Sequence, residues 1–347
     1  MHANILTTRA QKTYFTAEYC QKIPEKLEAA GVSVSCITEQ TDWLSRLKGH
    51  LYSLTQGSLR RNVVQANAER IFLKSVNRSI PLDYNLILNT EDHLRFFKNY
   101  KKAPHNIIGT LHCPHSLWDS PMLSRLQRMS SAITLYQEDI PFFEHYVGKG
   151  RVHFVHYGVD TEYFTPKESP PESPSILCIG TFLHDWSTVY DTLLILSEKR
   201  EDLSIDIIID TKEIQEKDLE KLSSISRVRW HYGATEYKRR QLLQESTLLL
   251  HPLKASGVSH IIPEALACGC PIVTHDSGGI RDYGGESLFP LCSTTRSADF
   301  TDLTESYLNT PGMRETTSIK CRRFAEEHLT WEQSIKEHLE AYHKLIS

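Results

Sequence analysis

Thr165-Pro166-Lys167-Glu168-Ser169-Pro170-Pro171-Glu172-Ser173-Pro174 places four prolines in ten residues and carries no apolar period. Proline fixes the backbone and removes the amide that a helix or sheet would use, so the stretch reads as a linker. On both sides of it, short apolar runs alternate with longer helix-like segments. Before it stand Asn4 to Thr7, Val32 to Ile37, Asn85 to Leu88, Asn106 to Leu111, Ala132 to Leu135 and Val152 to Val155. After it stand Ile176 to Ile179, Ile205 to Ile209, Val228 to Trp230, Thr247 to His251 and Ile272 to Thr274. Such runs suit strands buried on both faces of a parallel sheet.

The intervening segments have helical character. Thr16 to Ala30 is amphipathic and stops at Gly31, a residue suited to the left-handed turn that ends a helix. Helices are also read around Thr188 to Lys199, around Glu213 to Leu222, and through the tail from Ser318 to Ile346. Two doubly wound α/β domains in tandem account for this order, and 347 residues suffice for two cores.

The composition narrows the function. A chain that is 40% hydrophobic and 24% charged with net charge −4 is that of a globular protein without the basic excess of a nucleic-acid binder. No charged leader followed by a long apolar run opens the sequence, and no stretch approaches eighteen apolar residues. The eight cysteines lie scattered without paired CxxC spacing, so they read as reduced thiols in a cytoplasmic protein.

The chemistry concentrates in Lys254-Ala255-Ser256-Gly257-Val258-Ser259-His260-Ile261-Ile262-Pro263-Glu264-Ala265-Leu266-Ala267-Cys268-Gly269. A loop of small residues runs into a short helix that starts near residue 260, since Pro263 is tolerated only in a first turn, and Gly269 ends it. Amides of such a loop, with the positive end of a helix dipole, attract a diphosphate. Glu264 has two readings: it accepts hydrogen bonds from a ribose diol, or it stabilises the start of the helix.

Glu264-Ala265-Leu266-Ala267-Cys268-Gly269-Cys270-Pro271-Ile272-Val273, followed by Ser277-Gly278-Gly279-Ile280, resembles the donor-binding signature of the GT4-type retaining glycosyltransferases of GT-B fold, glycosyl transferases group 1. Val155 to Pro166 resembles that family's junction motif, Gly109-Thr110-Leu111-His112 its histidine-bearing strand end, and Phe324 to Ile346 its terminal helices. The resemblance implies two facing Rossmann-like domains: 1–164 on the acceptor side, 165–325 binding the donor, and 326–347 as a helix crossing back to the first domain. It implies a retaining transfer of a sugar, hexosyl in character, from a UDP-, GDP- or ADP-sugar, with neither metal nor other cofactor. The catalytic candidates are then His112, Ser256 and Glu264. The donor-binding candidates are Gly180, Thr181, His184, Lys254, Gly257, Val258 and Ser259, with Glu264 on the ribose.

Two departures stand out. Ser256 occupies the place of the signature's first glutamate, and Gly180-Thr181-Phe182-Leu183-His184-Asp185-Trp186 lacks the Arg and Lys that usually hold the diphosphate. Lys254, His184 and Arg281 are the candidate replacements. A GT-B epimerase or phosphorylase, or a degenerate protein that binds a nucleotide or partner without turnover, are the alternative readings. His112, Cys113 and His115 form no closed metal-ligand set. Separately, residues 41–80 hold seven Lys or Arg against Asp42 and Glu69, with Trp43, Leu44, Leu47, Leu51 and Leu54 at helical spacing. That is either a solvated face over an ordinary core helix or a peripheral contact with an anionic membrane.

Overall fold

A computed structural model describes residues 1–7, 14–55, 63–93, 107–169, 171, 173–180, 183–209, 214–254 and 260–346. The chain divides into two compact units, one made of Met1–Tyr157 with Trp331–Ser347, the other of Gly158–Thr330.

The first unit runs β1 (His2–Leu6), α1 (Tyr14–Ala29), β2 (Ser33–Ile37), α2 (Trp43–Thr55), α3 (Val63–Val76), β3 (Tyr84–Ile87), α4 (Thr90–His93), β4 (Ile107–Leu111), α5 (Ser120–Leu126), β5 (Ser131–Thr134), α6 (Ile140–Val147) and β6 (Val152–Phe154). Its strands form one parallel sheet in the order β2-β1-β3-β4-β5-β6, with Ile5 of β1 opposite Cys36 on one side and Leu86 on the other. β3, β4 and β5 are buried at every position, which is why their sequences show no alternation of apolar and charged residues. The stop after α1 has a specific cause. Gly31, at φ +84°, donates to the Glu28 carbonyl while Val32 donates to Leu27, the paired bonds of a Schellman cap.

The second unit runs β7 (Ser175–Ile179), α7 (Trp186–Lys199), β8 (Ser204–Ile209), α8 (Glu216–Ser223), β9 (Val228–Tyr232), α9 (Glu236–Glu245), β10 (Leu248–Leu250), α10 (Ile261–Ala267), β11 (Ile272–Val273), α11 (Ser297–Asn309) and α12 (Pro311–His328). Its parallel sheet has the order β11-β10-β7-β8-β9. Ile176, Cys178, Ile205, Ile207, Leu248 and Leu250 from the strands pack with Val189, Leu193 and Leu196 of α7 and Phe300 of α11 in one core. At the end of α10, Gly269 sits at φ +64° and forms the same pair of capping bonds, Gly269 to the Leu266 carbonyl and Cys270 to Ala265.

The last helix, α13 (Trp331–Ile346), belongs to the first unit. Trp331 is buried beside Tyr19 of α1 and Tyr157. Lys26 donates to Glu332 at 2.6 Å, the His156 amide donates to Glu337 at 2.8 Å, and His338 is hydrogen-bonded to the Tyr19 hydroxyl. The tail is therefore tied to its unit at its first turn and again around Glu337 and His338.

Candidate functional site

In the second unit, α10 carries Glu264, and α9 carries its partner. Glu264 is 1% exposed, and both of its carboxylate oxygens accept from one guanidinium: Arg239 Nε to Oε2 at 2.5 Å and Arg239 Nη2 to Oε1 at 2.6 Å. This is a two-pronged, charge-assisted pair taken out of water. Burial pushes the Glu264 carboxyl up, against the opposing pull of Arg239.

Four histidines surround the C-terminal edge of this sheet. His251 immediately follows β10, His275 follows β11 by two residues, His184 lies five residues past β7, and His260 is the N-cap of α10. All four are buried. The ring nitrogens of His184 and His251, and Nδ1 of His260 and of His275, have no hydrogen-bond partner. His184 packs, tilted, against Trp186 at 4.4 Å and against His251 at 5.1 Å between ring centroids. Burial holds His251 down to about 4, with His275 adding to the effect. His184 lies well below the usual imidazole range through burial, then His251 and Lys254, and His260 does so through burial, then Arg239 and His251. These rings are neutral imidazoles at neutral pH, each offering one N–H donor and one acceptor.

The loop after β7 is fastened to the segment after β10. The Lys254 amide donates to the Leu183 carbonyl at 2.7 Å, the Asp185 amide donates to Pro252 at 2.9 Å, and His184 pairs with Leu253 between them. Leu183 takes φ +70°, a conformation that costs a branched side chain free energy and that clusters at ligand-handling loops. Gly180 cannot be larger without rearrangement, since a Cβ there would lie 2.6 Å from Cζ2 of the buried Trp186. Lys254 is exposed at the end of this fastened segment. Arg281 is already held by Asp276 at 2.8 Å and Glu286 at 2.7 Å. Thr181, Ser256, Gly257, Val258 and Ser259 lie outside the described residues.

His112 belongs to the first unit, one residue past β4. It is 2% exposed, its Nε2 donates to the Leu88 carbonyl at 2.7 Å, and burial lowers it to about 4, so it too is neutral. The amides of His112 and Cys113 both donate to Glu91 Oε1, at 2.6 and 2.8 Å, which fixes the turn that presents the ring. Tyr19 packs edge-on to the imidazole at 4.9 Å. Among the described residues, no group of three or more His, Cys, Asp or Glu is arranged to hold a metal ion.

Sequence reading placed His184, Lys254 and Glu264 in one region, and the structure sets all three around the edge of β7, β10 and β11. It did not find Arg239, His251, His260 or His275. The available signal for two of these was position, because the residue emerging from the C-terminal end of a parallel strand faces the crevice where such sheets bind ligands.

Residues 173–309 match the family model described as Glycosyl transferases group 1. That stretch is similar to a group 1 glycosyltransferase domain. The whole chain has the GT-B architecture of two Rossmann-like domains, as solved structures show. It is similar to sucrose-phosphate synthase from Thermosynechococcus elongatus, with a TM-score of 0.75 and 15% identity over 99% of each chain. A glycosyltransferase from Rickettsia africae ESF-5 gives 0.72 at 10% identity, covering 100% of this chain and 98% of that one. HepE of Anabaena, solved in complex with UDP-glucose, gives 0.70 at 15% identity, covering 97% and 99%. No curated protein matches the chain. The matched stretch contains Glu264, Arg239 and the four histidines.

Proposed function

We propose that this protein transfers a sugar from a nucleotide-sugar donor to an acceptor, retaining the anomeric configuration and using no metal. The observation that carries the reading is the match of residues 173–309 to glycosyl transferases group 1, in a domain where Glu264 is fixed by Arg239 behind the ligand-binding edge of the sheet. HepE of the same fold has been solved with UDP-glucose and with UDP, which makes a UDP-sugar the first donor to test.

In this reading the Gly257, Val258 and Ser259 amides with Lys254 hold the diphosphate and Ser256 contacts a sugar hydroxyl, while Glu264 meets the ribose only on leaving its pair with Arg239, which occupies both carboxylate oxygens. Gly180 and Thr181 open the loop after β7 that His184 closes. The departing phosphate takes the acceptor's proton, so the protein's work is placement and stabilisation of developing charge. A neutral His112, its Nε2 committed to the Leu88 carbonyl, acts as a hydrogen-bonding group and not as a cation.

A second reading has its own observation. Ser256 replaces the glutamate of the signature, and Arg281 is neutralised by Asp276 and Glu286, which fits a protein that binds a nucleotide without turnover. Incubation with UDP-, GDP- and ADP-sugars, scored for released nucleoside diphosphate and for thermal stabilisation, separates the two. Release in the presence of an acceptor supports transfer; stabilisation without release across the panel supports the binding protein; neither rejects both.

A further inference from the structure

Helix α2 is built inside out. Along Trp43–Thr55 the buried positions are Ser45, Gly49 and Ser53, one turn apart. They dock the helix on α3 so closely that a Cβ on Gly49 would lie 1.7 Å from the Val63 carbonyl oxygen. The large apolar side chains point the other way. Trp43 is 75% exposed, Leu44 42%, Leu47 47%, Leu51 56% and Leu54 45%. At about 100° per residue these five fall within roughly one quadrant, opposite the small-residue face. An apolar stripe of this kind in water marks a surface that is covered in use.

The charge around the stripe indicates what covers it. Residues 41–80 carry seven Lys or Arg against two Asp or Glu, in a chain whose net charge is −4. Neither acid opposes an anionic surface. Glu69 is fully buried near His93, at 3.8 Å, and Asp42 caps α2, its Oδ1 accepting from the Ser45 amide at 2.9 Å. Arg46 and Lys48 are exposed and flank the stripe on its two sides. A convex single helix with Trp and Leu on one face and cations at its margins matches an interfacial helix lying on lipid. We infer that α2 seats the first unit on an anionic phospholipid surface, with Trp43, Leu44, Leu47, Leu51 and Leu54 entering the headgroup boundary and Arg46 and Lys48 meeting lipid phosphates. No described helix is long and apolar enough to cross a membrane, so the contact is peripheral.

Flotation of the full chain with vesicles tests this, using phosphatidylcholine alone and equal parts of phosphatidylcholine and phosphatidylglycerol. The wild type floats with the mixed vesicles, floats less at high salt, and stays at the bottom with phosphatidylcholine alone. Leu47→Glu/Leu51→Glu abolishes flotation, and Arg46→Glu/Lys48→Glu weakens it, by roughly fivefold for each cation removed. All four positions are exposed, so an unchanged thermal midpoint confirms that the variants fold. Absence of flotation with anionic vesicles, or flotation unaltered in Leu47→Glu/Leu51→Glu, overturns the inference. A wild type that dimerises in solution without floating, and becomes monomeric in that variant, overturns it in favour of a second copy of the chain.

Discussion

Arg239 and Glu264 form a closed pair, each nearly excluded from solvent, with both carboxylate oxygens bonded to one guanidinium at 2.5 and 2.6 Å. They come from successive helices, α9 and α10, and they join the segment that carries the signature to the helix before it. Glu264 is therefore a structural anchor whatever it does for a ligand. Arg239→Ala leaves a buried carboxylate without its cation and is expected to cost about 3–5 kcal/mol, read by urea denaturation. Glu264→Gln keeps the side chain's shape and one acceptor oxygen, so it is expected to cost less. A loss equal to that of an ordinary surface substitution in Arg239→Ala would show that the pair does not hold the fold.

Acid is expected to destabilise the protein between pH 6.5 and 4. His112, His251 and His338 are each lowered to about 4 by burial, whereas an unfolded chain protonates histidine near the ordinary value of about 6.5. In that window the unfolded state binds more protons, so stability rises with pH and is lost as pH falls through the folded value. The slope approaches about 1.4 kcal/mol per pH unit for each such histidine in the middle of the window. Thermal midpoints taken from pH 7 to pH 4 measure it, and a flat profile would mean that these rings are solvated.

Gly180→Ala tests the close approach at the start of the loop after β7. The added methyl meets the Trp186 ring at 2.6 Å, and overpacking of this kind costs about 1–3 kcal/mol. The thermal midpoint is expected to fall, and donor stabilisation to fall with it, since His184 and Asp185 are carried on the same loop.

Tyr19→Phe isolates the bond that fastens α13 within the first unit. His338 Nδ1 donates to the Ser334 carbonyl at 2.7 Å, so its Nε2 accepts from the Tyr19 hydroxyl. Removing that hydroxyl leaves a fully buried acceptor unpaired, at a cost of about 1–3 kcal/mol. Tyr19→Phe unfolding at the wild-type midpoint would show that Trp331 packing and the Glu332 and Glu337 bonds secure the helix without it.

The strands were legible because burial on both faces demands largely apolar residues, as in Leu248-Leu249-Leu250 and Ile207-Ile208-Ile209. The stops at Gly31 and Gly269 were legible because only glycine enters the left-handed turn at little cost. α9 was not read. Its sequence, Glu236-Tyr237-Lys238-Arg239-Arg240-Gln241-Leu242-Leu243-Gln244-Glu245, has its two leucines adjacent and no helical apolar period. What it buries includes a charge, Arg239, and a charge announces burial only when its partner is known.

By itself, then, the sequence determined the alternation of strands and helices, the glycine stops, and the segment where Glu264 begins a short helix, since each depends on neighbours within a few residues. Tertiary structure alone decided that Arg239 faces Glu264, that His184, His251, His260 and His275 gather at one sheet edge, and that α2 turns Ser45, Gly49 and Ser53 inward and its leucines outward. The physical reason is the same in each case. Periodicity reveals that a helix has two faces or a strand an end, but which face is covered depends on the distant residues that pack against it.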